Sequence, residues 1–432
     1  MKKIFFILSA LAYFQFSIFN FQLFAQETYR FTFEQCLQYA FTNSFERRSI
    51  KLAEEARQAS YDQSKMERLP NLSGSIGESF ANGREGGSWS GNAGLNAGVT
   101  LYSGGAITSQ IETARLQSEL AQTQTAQYDN TRTIQILQAF LNVLGNEELL
   151  STRQELLSAT EEQLRQGEAM LNAGSIIESD VLLLRAQRAT EYSNIVNARV
   201  QRDNSLLTLK NLLSMPPQAT LEIIYPEASD ELTNFLLPPQ QEVIDLAMQT
   251  LPDMNITQLN IWIAEENIRQ AKSRFLPTLS LSASARTGHK EFDSFGTQLS
   301  NGFNQQAGLQ LLIPIFSNGS NRLALTQSKI SAERAKLDAQ QTDLELRQMV
   351  AVQYQNVMSL YEQYQASDIS REASLLSYEA YRAKFEHGSI TAVELLRQQN
   401  SYLSALNNYV QYKYGFKLNR KVLDVYMGKS LM

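Results

Sequence analysis

Very little in this sequence invites chemistry. A single cysteine, Cys36, and two histidines, His289 and His387, are spread over 432 residues. One thiol cannot form an intrachain disulfide, and two isolated imidazoles offer no metal-ligand spacing. There is no phosphate-binding glycine loop and no Gly-x-Ser-x-Gly elbow, so neither an enzyme nor a cofactor site is expected. Basic clusters are missing and the formal net charge is −6, which argues against nucleic acid as a partner. Beyond residue 25 no apolar run reaches the ~18 residues of a membrane helix. Proline is scarce as well: eight of the nine fall in four short places, at Pro70, at 216–226, at 238–252 and at Pro277, with Pro314 the ninth. The long proline-free tracts between them predict long helices.

The first residues read as a secretory leader. Lys2 and Lys3 form a charged start, an apolar stretch runs from Ile4 to Phe24, and Ala25-Gln26 is a plausible cleavage point. Residues 1–25 are therefore expected to be a signal peptide. Cys36 lies well past that point, so it is not placed to carry an N-terminal lipid and reads as a small packed apolar residue. With no membrane helix available, any insertion into a bilayer must be by strands.

The rest is written twice. MERLPNLSGSI (66–76) has its counterpart in SRFLPTLSLSA (273–283), with Pro70 and Pro277 equivalent and 207 positions apart. CLQYAFTNSF (36–45) matches VIDLAMQTLP (243–252) at the same offset. VTLYSGG (99–105) then matches IPIFSNG (313–319), and GSIIESDVLL (174–183) matches GSITAVELLR (388–397), both at an offset of 214. The offset changes once, between the two strands of each half, which places the length difference in a loop. The expected organisation is a first repeat over 26–213, a linker or equatorial belt over 214–240, and a second repeat over 241–432.

Each repeat reads helix, strand, loop, strand, very long helix, helix. Strands are expected at about 70–82, 92–103, 277–287 and 304–316, each carrying period-two alternation. Ala93, Leu95, Ala97, Val99 and Leu101 share one face of the second, and Ala307, Leu309, Leu311, Ile313 and Ile315 one face of the fourth. The opposite faces are Ser, Asn, Gln and Gly. Lengths of about 10–12 residues suit a tilted strand crossing a bilayer. Phe80, Trp89, Tyr102, Phe292, Phe303 and Phe316 cluster near strand ends, as interfacial aromatics do. His289 falls in the expected external loop, TGHKEFDSFG.

Long helices are expected at about 106–172 and 320–387, each roughly 100 Å in length, with hairpin helices at 178–213 and 391–427. Ile134, Leu137, Leu141 and Leu144 keep coiled-coil spacing. Gly174 and Gly388 are expected to close the long helices. Four strands cannot close a barrel, and open edges in lipid leave backbone groups unsatisfied. One chain is therefore not enough: a dimer would supply eight strands and a trimer twelve, of which only the larger leaves a water-filled lumen.

The duplicated pattern, the proline before strands one and three, the LYSGG and IFSNG junctions and the paired Gly-Ser hairpins resemble the TolC-type outer membrane efflux proteins over about 30–427. The resemblance implies a membrane α/β fold: a homotrimer sharing a twelve-stranded outer membrane barrel that continues into a periplasmic tunnel of antiparallel coiled-coil helices. It implies docking to a periplasmic adaptor (membrane fusion protein) and an inner-membrane pump, and export of small molecules or proteins. Acids at glycine-plus-six carry over to Asp180 and Glu394, which would narrow the periplasmic mouth. Where the family's best-known member has another acid at glycine-plus-nine, Arg397 stands, and Ile390 replaces its locking arginine. The tips Gly174, Ser175, Gly388 and Ser389 are the implied adaptor contacts. Pro70, Gly104, Gly105, Pro277, Asn318 and Gly319 mark the barrel-to-tunnel junctions. A periplasmic or surface coiled-coil scaffold or adaptor without a channel is the rival reading, and it leaves the four bilayer-length strands unexplained.

Overall fold

The structure is a computed structural model and describes residues 28–83, 86–224, 235–290 and 295–429. The signal-peptide segment, Phe292 and residues 225–234 of the expected belt lie outside the described residues.

In chain order the elements are β1 (Thr28–Phe31), α1 (Phe33–Asn43), α2 (Phe45–Met66), β2 (Asn71–Gly83), β3 (Gly86–Tyr102), α3 (Ala106–Asn172), α4 (Glu178–Leu212), β4 (Thr220–Ile223), α5 (Gln240–Thr250), α6 (Pro252–Ser273), β5 (Thr278–Lys290), α7 (Phe295–Asn301), β6 (Asn304–Leu312), α8 (Ser320–Glu386) and α9 (Ala392–Tyr426). The helices α3 and α8 each run 67 residues, about 100 Å at 1.5 Å per residue. α8 contains neither glycine nor proline, and α3 only Gly145 and Gly167. Nothing in either sequence interrupts the i→i−4 ladder.

β2, β3, β5 and β6 form one antiparallel sheet in that order. Its register puts Leu72 beside Ala97 and Ala97 beside Ala283, and Ala283 beside Ala307, so four alternating patterns merge into one apolar face. Asn96, Ser284 and Gln306 line up on the other. Leu72, Ile76, Leu95, Leu309 and Leu311 are all more than half exposed. That is the opposite of a soluble half-buried sheet, whose apolar face lies against a core.

Helix order follows strand order. In the part next to the sheet, α2 packs on α3, α3 on α6 and α6 on α8; beyond the equator α4 packs on α3, α3 on α9 and α9 on α8. β2 and α2 lie on one edge, β6 and α8 on the other.

Two cores sit midway along the helices, and the fully buried residues of each come from one half of the chain. The first buries Cys36, Leu37, Ile136, Phe140, Val143, Leu209 and Leu221; the second buries Val243, Ala247, Val350, Val357, Phe416 and Leu423. Burial pushes the Cys36 thiol up to about 12, helped by Glu34, so it packs as an inert apolar group.

The structure departs from the sequence expectations at four places. β6 stops at Leu312 rather than 316, because Pro314 has no N–H to offer the ladder. β3 starts at Gly86 rather than 92, pairing with β2 up to Gly83. His289 lies inside β5, not in a loop, and its Nε2 is 2.8 Å from Glu78 Oε1 across Gly91. The 214–240 segment, expected only as a linker or belt, holds regular structure: Thr220–Ile223 pairs in parallel with Thr28–Phe31, and α5 begins at its end.

Candidate pore aperture, docking tips and junctions

The two helical hairpins end in the same backbone device. Gly174 and Gly388 have φ of +72° and +67°, a region that costs other L-residues about 1 kcal/mol or more. At the first tip the N–H of Ser175 donates to Met170 O at 2.8 Å and that of Gly174 to Leu171 O at 2.9 Å. At the second, Ser389 donates to Lys384 O and Gly388 to Phe385 O, both at 2.9 Å. These are paired Schellman closures, which satisfy carbonyls that a helix end otherwise leaves orphaned. The tips touch each other, since a Cβ built on Gly388 would lie 3.3 Å from Met170 Cε.

The two hairpins diverge at the start of the returning helix. Thr391 caps α9 with a full capping box: its hydroxyl accepts from Glu394 N, and the Glu394 carboxylate accepts from Thr391 N at 3.0 Å and from its hydroxyl at 3.1 Å. Those two bonds, the backbone one first, hold the Glu394 carboxyl below the usual range, with a smaller through-space contribution from Arg397. Among the described residues Glu394 forms no ion pair with Arg397, the pairing that their one-turn spacing suggests. The N-cap of α4 is Ile177, which has no side chain able to cap, and Asp180 sits at the same third helical position as Glu394 without a box. Asp180 is half-buried; Glu394 and Arg397 are exposed.

Just behind the tips the halves interlock. Leu156 and Leu184 of the first pack with Tyr378, Phe385, Leu395 and Leu403 of the second. Gln163 donates to the Tyr378 hydroxyl at 2.7 Å and Gln399 to the Thr160 hydroxyl at 3.1 Å, in an otherwise apolar setting. Neither bond is legible in the sequence, because glutamine is common on every face of these helices.

At the other end, Pro70 and Pro277 terminate α2 and α6 and start β2 and β5. The return from strand to helix uses two consecutive left-handed residues in each half: Gly104 and Gly105 at φ +63° and +89°, Asn318 and Gly319 at +48° and +78°. Asparagine is the residue that best tolerates this conformation after glycine. Gly104 has a second constraint, because a Cβ there would come within 2.6 Å of Leu276 Cβ.

A four-stranded sheet with an exposed apolar face, continuous with a wall of long antiparallel helices and open at matching edges, defines a class: β-sheet membrane proteins that carry a helical tunnel. The outer membrane efflux protein family matches the chain over residues 37–214 and 243–429, and the chain belongs to it. It is a protein of the outer membrane with a large helical periplasmic portion. It is 25% identical to the cation efflux system protein CusC of Escherichia coli over 421 residues, 90% of this chain and 84% of that one. With the outer membrane protein TolC of Escherichia coli it shares 25% identity over 338 residues, 75% of this chain and just under two thirds (66%) of the relative. A crystal structure of CusC superposes with a TM-score of 0.81 at 20% identity, covering 92% of both chains.

Proposed function

We propose that three copies of this chain close a twelve-stranded outer membrane barrel and a helical tunnel through which small molecules or proteins are exported. The observation that carries this reading is a pair of exposed seams. On α2 the residues Phe45, Leu52, Ala59 and Met66 recur every seven positions, and Phe45, Leu52 and Met66 are 79%, 56% and 61% exposed. On α8, Leu323, Ile330, Leu337 and Leu344 do the same, all between 56% and 59% exposed. Sustained heptads are the pattern of a coiled-coil seam, which is stable only when covered. The seams lie on opposite edges and at the same height, since Met66 is four residues from Pro70 and Leu323 four from Gly319. A neighbour that pairs its β6 with β2 therefore also brings its α8 seam onto α2.

The chain acts as a conduit rather than an enzyme. Six carboxylates per trimer, from Asp180 and Glu394, would favour cations at the periplasmic mouth, with Arg397 moderating the field. The tips around Gly174, Ser175, Gly388 and Ser389 would dock a periplasmic adaptor, which links the tunnel to an inner-membrane pump; the pump selects the cargo. The two repeats, 26–213 and 241–432, would each contribute half of every subunit's wall.

Detergent-extracted protein is expected to have three times the chain mass by light scattering, and to give discrete conductance steps in planar bilayers. Recovery as a soluble, non-conducting species would establish the scaffold reading instead. Asp180→Asn combined with Glu394→Gln is expected to lower the cation preference of the channel; unchanged selectivity would remove both from the aperture.

A further inference from the structure

The sheet's two faces differ in more than polarity. Among the described residues of its four strands the charged side chains are Glu78, Arg286 and Lys290, with His289 beside them. The register sorts them. Glu78 and His289 share the apolar face, where they meet at 2.8 Å. Arg286 is opposite Gly94 and Lys290 opposite Ser90, both on the face of Asn96, Ser282 and Ser284. The polar face thus carries two cations per chain and, among the described residues, no carboxylate.

Arg286 is also held in place. It lies across the gap left by Gly94, where a Cβ would sit 3.1 Å from Arg286 Cγ, and its Nη2 donates to Asn96 Oδ1 at 3.0 Å. One nitrogen is tied to the wall and the side chain remains exposed. Lys290 stands four residues further along β5, about 13 Å outward at strand spacing, and is exposed at the sheet's outer end.

We propose that Arg286 and Lys290 form an anion-attracting collar in the barrel lumen, which recognises phosphate, sulfonate or carboxylate groups on passing cargo. This rests on the trimeric channel reading, since three copies are needed to arrange six cations around one lumen. The guanidinium supplies forked donors for a phosphoryl or carboxylate group, and the ammonium supplies a mobile point charge nearer the exit. Screening limits the reach. At 1 M salt the Debye length is about 3 Å and at 0.01 M about 30 Å, so the collar acts on bulk ions only when salt is low. The collar's sign is opposite to that of the carboxylates at the periplasmic mouth, and so is its location, at the far end of the molecule.

The test uses wild-type trimer in planar bilayers with tripolyphosphate added to the side facing the barrel. A polyanion is repelled by the carboxylates of the mouth, so block from the barrel side reports the collar. At low KCl, tripolyphosphate is expected to reduce conductance in the wild type and to do so more weakly at 1 M KCl. Arg286→Gln combined with Lys290→Gln should abolish that block and shift the anion-to-cation permeability ratio toward cations by about three-fold, the effect of roughly half a kT of lost potential acting oppositely on the two ions. Arg286→Lys with Lys290→Arg keeps the charge and must retain the block. If the double glutamine variant fails to assemble, Lys290→Gln alone, at an exposed rim position, must raise the half-blocking concentration. Wild-type channels that conduct but show no barrel-side block overturn the collar alone. A wild-type protein that gives no discrete conductance overturns the channel reading, and the collar with it.

Discussion

The helices α3 and α8 have the same length, begin after the same left-handed junction and end at the same glycine closure, yet they are buried very differently. α3 has seventeen buried residues, seven of them between Ile136 and Leu144; α8 has seven in its whole length. α3 is flanked by α2, α6, α4 and α9, whereas α8 lies at the edge with neighbours on one side. The repeat dictates the backbone of each helix, and position in the wall dictates how much of its apolar surface the chain itself can cover. On α8 the uncovered part is a regular heptad seam. A single chain therefore covers its own middle and leaves apolar seams exposed at its sides.

Substitutions on the two helices separate these roles. The largest expected effect is at Phe140, which is 3% exposed in the first core and meets Phe33 edge-on at 5.7 Å. Phe140→Ala should cost about 3–5 kcal/mol of fold stability, read as a lower denaturant midpoint in the helical circular dichroism signal. Leu337→Glu on the α8 seam should leave helical content unchanged and remove the oligomeric species from size exclusion with light scattering. If instead the oligomer survives, the seam is not a subunit contact. The comparison carries down to the tips. Gly174→Ala and Gly388→Ala should each lose about 1 kcal/mol locally, with the second larger because Met170 crowds that site, as measured by hydrogen exchange in the last turns of α3 and α8. Thr391→Ala should loosen the first turn of α9 by about 1 kcal/mol and leave α4, which has no such cap, untouched.

A smaller effect should track pH. The folded Glu394 carboxyl titrates below its unfolded value because it accepts hydrogen bonds from Thr391. Its capping contribution is then fully present above the ordinary glutamate value of about 4.3 and is lost as pH falls through the lowered folded value. NMR titration should place Glu394 below a free glutamate, and Thr391→Ala, which removes the hydroxyl bond but keeps the backbone N–H, should bring it part of the way back. A Glu394 value that does not move in Thr391→Ala would mean that the hydroxyl bond does not contribute, leaving the backbone N–H and the charges of Arg397 and Lys384 to hold it down.

Much of this organisation is legible in the sequence because it is periodic. Alternation such as Ala93, Leu95, Ala97 and Val99 reports a strand whatever surrounds it, and the absence of proline between 106 and 172 admits one helix. Features that depend on distant partners are not legible in that way. Residues 220–223 look like linker until their parallel partner, 28–31, is known. His289 reads as a loop residue because Gly288 and Lys290 hide the alternation, although the Glu78 opposite it already breaks the apolar face of β2. Pro314 is a visible reason for β6 to end early. Thr391-x-x-Glu394 spells a capping box, a signal that the position of the glutamate after Gly388 overshadows. Its carboxylate serves the helix start in the structure, and its place at the mouth is the proposal that the selectivity measurement decides.

The short parallel pairing of Thr28–Phe31 with Thr220–Ile223 has a temporal meaning. Strand order in synthesis puts β1 out first, and it has no hydrogen-bonding partner until residue 223 has been made. Closing a loop of that length costs only slightly more than closing one half as long, and the contacts waiting at closure are the Cys36, Leu37, Phe140 and Leu209 core. The buried residues of that core all come from the first half, while Tyr414 and Leu418 reach it from the second. β3, by contrast, must hold an unpaired edge until β5 arrives, 176 residues after its own end at Tyr102.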